Sequence, residues 1–250
     1  MVKKLLESIS NEFLDALFPE NLTCFNCGKE LKQNEKFLCE FCKNDVDIIK
    51  HCCKICGNPI NSQTEICDDC KNNKRTFDKA ISPFEYSKTA QNLIYKLKYN
   101  KEKYIAKVFA KPLFDCFNKN NLEKIDIVTC IPLSKKRKKE RRFNQAEVIA
   151  REFVKELNEE IKENYNLVER IKDTPTQTNL TKTQRHENLK NAFKLVCNKK
   201  EIKDKNILIV DDVFTTGATM DELSKILKRA KCGKIYCLTV CHTNLNRYKN

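Results

Sequence analysis

A chain of 250 residues has room for one α/β domain of ordinary size and a small module beside it. No apolar run approaches the roughly 20 residues that span a bilayer, and Glu7, Glu12 and Asp15 interrupt the N-terminus, so neither a transmembrane segment nor a signal peptide is expected. The net charge of +14 is uneven: residues 1–75 hold 11 Lys and Arg against 12 Asp and Glu, whereas residues 76–250 hold 37 against 22. Such an excess suits a polyanionic partner such as nucleic acid, although Lys and Asn are abundant throughout and compositional bias explains it equally well.

In chain order, Leu5, Leu6, Ile9, Phe13 and Leu17 share one face of a short predicted helix that closes before Pro19. Nine of the fifteen cysteines then lie between positions 24 and 70. Cys24 and Cys27 are followed by Cys39 and Cys42; Cys53 and Cys56 are followed by Cys67 and Cys70. Each C-x2-C pair fits two thiolates onto one tetrahedral ion, and two pairs complete a structural zinc site of four thiolates. The unit occurs twice, so one or two structural zinc ions are expected, and the metal supplies folding free energy that loops this small lack. An iron–sulfur cluster is the alternative, and disulfides are disfavoured in a reducing compartment. Cys52 competes with Cys53 as ligand, and both sequential and cross-braced pairings remain open. Gly28 and Gly57 each follow the second cysteine of a pair, where a knuckle needs a left-handed residue. The six remaining cysteines lack metal spacing and read as small apolar residues.

Residues 76–250 read as a second domain. Pro83 to Tyr86 suggest a strand; Leu93, Ile94 and Leu97 suggest a helix. A second helix follows, with Ile105, Val108, Phe109, Leu113 and Phe117 on one face and Pro112 expected to kink or break it. Ile125 to Ile131 form a predicted buried strand that leads into a basic loop, in which seven of the eight residues 135–142 are Lys or Arg. The next helix presents Ala146, Ile149, Ala150, Phe153, Val154 and Leu157 on one face. A basic loop between a strand's C-terminal end and a helix is where an open α/β sheet binds anions, which selects Arg142, Asn144 and Gln145 as candidate ligands. Residues 170–193 are poor in apolar side chains and form a candidate flap, from which Lys182 and Arg185 could reach a phosphate.

Residues 207–219, ILIVDDVFTTGAT, carry the sharpest signal. Ile207 to Val210 read as a buried strand, Asp211 and Asp212 as a carboxylate pair, and Thr215-Thr216-Gly217-Ala218-Thr219 as a hydroxyl-rich turn into a helix. The free N–H groups of such a turn and the helix dipole favour a phosphate, while the carboxylates accept from ribose hydroxyls or approach Mg²⁺ through water. Gly233 stands where that helix should be capped.

This last segment resembles the phosphoribosyl pyrophosphate (PRPP) motif of type I phosphoribosyltransferases. The whole chain resembles the ComF family of ComFC-like competence proteins. The resemblance rests on the paired cysteines with C-G-x-P at Cys56–Pro59, Leu97–Tyr99, Pro132-Leu133 with Arg141–Ala146, the segment from Asp173 through Arg185 to Asn188, and Val210–Thr219. One departure is Arg142-Phe143, where the family often has R-G-F. The resemblance implies an α/β fold: a type I phosphoribosyltransferase-like, mostly parallel sheet flanked by helices, at 76–250. Residues 1–75 would hold the N-terminal helix and a double zinc ribbon. It implies Mg²⁺-PRPP as ligand, with Asp211 and Asp212 on the ribose, residues 215–219 on the 5′-phosphate, and Arg142 with Lys182 or Arg185 on the pyrophosphate. It also implies single-stranded DNA and a DNA-translocating competence ATPase as partners in natural transformation, and a cytoplasmic location reaching the inner membrane only through partners. The sequence leaves open whether the pocket catalyses phosphoribosyl transfer, as in an enzyme of nucleotide metabolism, and names no acceptor.

Overall fold

The computed structural model of the chain describes residues 22–157, 160–173 and 189–243. The predicted N-terminal helix and the centre of the candidate flap, with Lys182 and Arg185, lie outside these residues. The chain divides into two compact units, Met1–Asp45 and Val46–Asn250.

In the first unit, an antiparallel bridge from Thr23 to Glu30 closes a knuckle in which Gly28 N–H donates to Cys24 O at 2.8 Å. Cys39 sits at the N-cap of α1 (Glu40–Asn44), and Cys24, Cys39 and Cys42 are buried with Leu31 and Leu38 packed against them. That is a core too small to fold alone, as expected of a metal-held loop.

The second unit opens with the same construction. Cys52 bridges Pro59, Gly57 N–H donates to Cys53 O at 3.0 Å, and Cys67 caps α2 (Asp68–Asn72). The surroundings differ. Here the four cysteines belong to the main hydrophobic core, together with Phe77, Ala80 and Phe214. Ala80 N–H donates to Ile55 O at 2.8 Å, so the ribbon leans on the first strand of the sheet.

That sheet contains β1 (Lys79–Ile81), β2 (Phe84–Glu85), β3 (Ile127–Cys130), β4 (Lys162–Glu163), β7 (Ile207–Phe214) and β8 (Ile235–His242), in the order β1-β8-β7-β3-β4 with every pair parallel. β2 continues the β1 edge along β8 after a break at Ser82-Pro83, where proline withholds an N–H. Every residue of β3 and β8 is buried, the pattern of a parallel sheet covered on both faces. The order agrees with the mostly parallel sheet expected from the sequence.

Helices α3 (Lys88–Tyr95), α4 (Lys107–Lys119), α5 (Lys135–Arg141), α6 (Gln145–Lys155), α7 (Lys199–Ile202) and α8 (Ala218–Arg229) complete the unit, with an antiparallel ribbon of β5 (Val168–Arg170) and β6 (Phe193–Leu195) flanking the candidate flap. α6 buries Ala146, Ile149, Ala150 and Phe153, the predicted face.

Four local readings change. α4 runs unbroken through Pro112, because Phe109, Ala110 and Leu113 hold it in the core; burial of these side chains, at about 1.5–3 kcal/mol for a large one, offsets the roughly 3 kcal/mol cost of an interior proline. The predicted basic loop is helical as α5, because Ser134 caps it and accepts from Arg137 N–H at 3.4 Å. β7 does not stop at Val210 but carries the two aspartates within it. Gly233 is not the left-handed cap after α8; Lys231 takes that conformation at φ 62°, and Gly233 is required by close approach, since a Cβ there would lie 2.5 Å from Asn206 Oδ1.

The two knuckle glycines give a direct test of how differently the repeats are housed. Both have positive φ, but a Cβ on Gly57 would lie 2.8 Å from Ala80 O, whereas none of the described residues comes within 4 Å of one on Gly28. Gly28→Ala is expected to cost only the left-handed strain of about 1–2 kcal/mol. Gly57→Ala should cost clearly more, read as the larger fall in thermal midpoint of the zinc-loaded protein.

Candidate phosphoribosyl site

The site lies where the strand order reverses. From β3 the chain passes through α5 and α6 to β4 on one side; from β7 it passes through α8 to β8 on the other. Neighbouring strands whose connections diverge leave a crevice at their C-terminal ends, where open α/β sheets bind ligands. Pairing of β7 with β3 stops at Val210 opposite Cys130, but pairing with β8 continues to Phe214 opposite His242. Asp211 and Asp212 are therefore held in a strand while one flank has opened. Successive strand residues face opposite ways, so the pair presents one carboxyl to each side.

Asp212 is buried and its Oδ1 accepts from Lys98 Nζ at 2.8 Å, while its Oδ2 has no partner among the described residues. Burial works against the Lys98 charge, yet the Asp212 carboxylate outweighs it and holds the ammonium above the usual lysine range. Lys98 comes from a π-helical turn, Lys96–Asn100, that continues α3; such turns recur at functional sites. Asp211 Oδ1 accepts from Asp212 N–H at 2.8 Å. Burial and then the Asp212 charge push the Asp211 carboxyl up to about 7. Arg170 of β5 is buried nearby; burial, then the charge of Arg137, pull its guanidinium down to about 10, and Asp211 acts in the opposite sense.

The expected phosphate loop follows β7. Gly217 is left-handed at φ 80° and precedes α8, so the first amides of a twelve-residue helix open onto the crevice. Thr215 and Thr219 are half-buried. Thr216 is turned inward: its Oγ1 accepts from Ala218 N–H at 3.4 Å, and its carbonyl accepts from Arg75 Nη1 at 3.0 Å. Arg75 is the brace of the loop. It also donates to Asp221 Oδ2 at 2.9 Å and to Asp69, while Thr76 N–H donates to Asp221 Oδ1 at 2.8 Å. Burial opposes the Arg75 charge, and Cys70, Asp221 and Asp69 more than offset it. Asp69 and Cys70 belong to the second cysteine tetrad and its helix, so the ribbon reaches the back of the phosphate loop through one side chain.

On the β3 side, Asn144 joins two elements. Its Nδ2 donates to Ile131 O at 2.9 Å, and its Oδ1 accepts from Ala146 N–H at 3.1 Å as the cap of α6. Gln145 is buried, with Oε1 lacking a partner among the described residues. Arg142 is exposed and left-handed at φ 66°, at the C-cap of α5. Sequence reasoning passed over Arg75, Lys98, Arg141 and Arg170. Lys98 stood inside the quoted Leu97–Tyr99 motif without a role, whereas Arg75 and Arg170 carry no local signal.

The sulfurs of Cys24, Cys27, Cys39 and Cys42 lie within 4.8 Å of one another, as do those of Cys53, Cys56, Cys67 and Cys70. Cys27 and Cys39 are 3.7 Å apart and Cys56 and Cys67 3.6 Å, close to the ~3.8 Å edge of a tetrahedron with 2.3 Å zinc–sulfur bonds. The tetrads are formed by sequential pairs, with Cys53 in the second and Cys52 outside it. Burial opposes the Cys24 thiolate, but the N–H groups of Cys27, Cys39 and Asn26 outweigh it and bring the thiol down to about 7. Two tetrads of this geometry suit two structural zinc ions.

Comparison with known proteins agrees with these parts. The Double zinc ribbon domain matches residues 13–71 and the Phosphoribosyl transferase domain residues 143–250. The class is therefore a double zinc ribbon joined to a phosphoribosyltransferase fold. The chain is 29% identical to Competence protein F of Haemophilus influenzae over 84% of its own length and 92% of that protein's. It is 26% identical to DNA utilization protein YhgH of Escherichia coli, over 88% and 96%, and 24% identical to Competence protein ComFC of Bacillus subtilis, over 90% and 85%. The chain is thus similar over most of its length to Competence protein F and ComFC.

Two substitutions test the site's construction. Arg75→Met leaves Asp221 and Asp69 without their cation; breaking a buried pair costs about 3–5 kcal/mol, so the thermal midpoint should fall on the order of 10 °C. Arg75→Met/Asp221→Asn should lose less than the two single changes summed. Asp211 has a folded pKa raised above the usual 3.8. Its protonation favours the native state fully below the unfolded value, and that advantage is lost as pH rises through about 7. Asp211→Asn should therefore be neutral near pH 4 and stabilising at pH 8, on the order of 1–3 kcal/mol by denaturant titration.

Proposed function

We propose that the crevice binds Mg²⁺-PRPP or a closely related phosphoribosyl ligand, and that the protein serves the uptake of single-stranded DNA in natural transformation. The observation that carries the pocket reading is the carboxylate pair of β7 directly before a left-handed glycine and the N-terminus of α8. Asp211 and Asp212 would accept from the ribose hydroxyls, and Mg²⁺ bound with the ligand would neutralise phosphate charge while keeping most of its waters. Thr215, Thr219 and the amides of residues 217–219 would take the 5′-phosphate. Arg142 and Gln145, with Lys182 and Arg185 from outside the described residues, would address the pyrophosphate. Asn144 would act by fixing the end of β3 against α6. The DNA reading is supported by the names of the relatives, two competence proteins and a DNA utilization protein, and by the positive charge of residues 76–250. A DNA-translocating ATPase is the proposed partner. Among the described residues no helix is long and apolar enough to cross a membrane.

A second reading, catalysed transfer with pyrophosphate release, is favoured by one feature. Asp211 titrates near 7, where a general acid or base works best. An oxocarbenium-like transition state would need mainly a held ribose and a neutralised leaving group.

Calorimetric titration with Mg²⁺-PRPP should show saturable binding that Asp211→Asn weakens about tenfold to a hundredfold, the worth of a hydrogen bond to a charged group. No binding by the wild type would sink the pocket reading. Pyrophosphate release with pooled nucleobases or single-stranded DNA would decide for transfer over retention.

A further inference from the structure

The turn that delivers Lys98 to Asp212 also makes a surface that the pocket does not use. On Lys96–Asn100 and the last residue of α3, Leu97 and Lys98 point inward while Tyr95 and Tyr99 point out, 57% and 52% exposed. Four residues apart, the two rings meet at 4.8 Å between centroids. Arg141, the last residue of α5, lies over Tyr99 at 5.3 Å. From there α5 runs back through Lys139, Lys138 and Lys136, all exposed, with Glu140 its one acidic residue. Tyr104, also exposed, follows on the next turn, Lys103–Ala106.

We propose that Tyr95, Tyr99 and the basic helix α5 form a binding track for single-stranded nucleic acid, bases stacking on the tyrosines and phosphates drawn to Arg141 and the exposed Lys136, Lys138 and Lys139. The proposal rests on the DNA-uptake reading and gives it a place on the chain. Two chemistries single out this ligand. A helix with six cations in seven residues is complementary to a regularly spaced polyanion. Exposed aromatic faces add binding only where bases are unstacked, because a duplex hides its base faces. The cation and the ring meet at the Arg141–Tyr99 contact, so backbone and base would be held at one point. Tyr99 adjoins Lys98 in sequence, which places the track at the rim of the carboxylate pair.

The test is fluorescence anisotropy with a labelled oligothymidylate of about 20 nucleotides, beside a duplex of equal length, with two zinc ions per chain confirmed in every variant. Tyr95→Ala/Tyr99→Ala should weaken the single strand about tenfold or more and leave the salt dependence unchanged. Tyr95→Phe/Tyr99→Phe should bind as the wild type does. Lys136→Gln/Lys138→Gln/Lys139→Gln should weaken binding and flatten the slope of log K against log salt by about 2. Unchanged affinity in the double alanine variant, or equal affinity for the duplex, would overturn the track and leave the DNA-uptake reading standing. A wild-type protein that ignores the single strand at low salt would remove both.

Discussion

The interaction on which most of the second unit depends is the burial of Arg75. A guanidinium out of water is tolerated only when its charge and its donors are met. Asp69 from the second ribbon, Asp221 from α8 and the carbonyl of Thr216 meet the charge and the terminal Nη donors, while Nε has no hydrogen-bond partner among the described residues. Asp69 lies six residues before Arg75, and Thr216 and Asp221 lie more than 140 residues after it, so one arginine ties the ribbon to the loop and helix that follow β7. Gly217 is part of the same constraint. A side chain there would press on Phe214 and on Arg75 itself, so the left-handed turn and the arginine require each other.

The constraint explains why two similar repeats behave so differently. Both form a knuckle, a bridge and a short helix around four sulfurs. In the first, the cysteines are most of the interior. In the second, the tetrad is continuous with the core under the sheet, and its loop touches Ala80 and Arg75. Metal in the first repeat holds up a small module. Metal in the second would hold residues that support the loop before α8, so its worth would extend to the shape of the candidate site.

Much of this was legible in the sequence because the signals were local. Cysteine spacing gives the candidate ligands but leaves their pairing and the choice between Cys52 and Cys53 open, and the run Ile207–Val210 with Thr215–Thr219 gives a strand, a turn and a helix. The periodicity of Ala146 to Phe153 gives the face of α6. What was not legible depends on distant partners. Nothing near Arg75 marks it as buried, since its acceptors at Thr216 and Asp221 are more than 140 residues away. Pro112 reads as a break until the packing of α4 is known. Gly233 reads as a cap, and only the approach of Asn206 shows why a side chain is excluded. Arg142 is the instructive case. It stands where the resembling family often has glycine, and it keeps the glycine-like φ of 66°. The turn between α5 and α6 therefore survives the substitution, at the strain of about 1–2 kcal/mol that a left-handed non-glycine residue carries.

The charges at the crevice suit the proposed ligand. Two carboxylates on adjacent residues are held largely out of water, and only one has a lysine of its own. Lys98 and Arg170 ease Asp211, but burial and the Asp212 charge outweigh them and leave Asp211 titrating near neutrality. A protein selected for stability alone would hardly keep this arrangement, because an apolar or amide residue at position 211 would avoid the burial cost. A ligand with hydroxyl donors changes the balance, since one of them would give Asp212 Oδ2 the partner it lacks among the described residues. Its phosphates would find the loop braced by Arg75. The strain is thus located where binding relieves it, so affinity at this site should come as much from satisfying Asp211 and Asp212 as from the phosphate contacts.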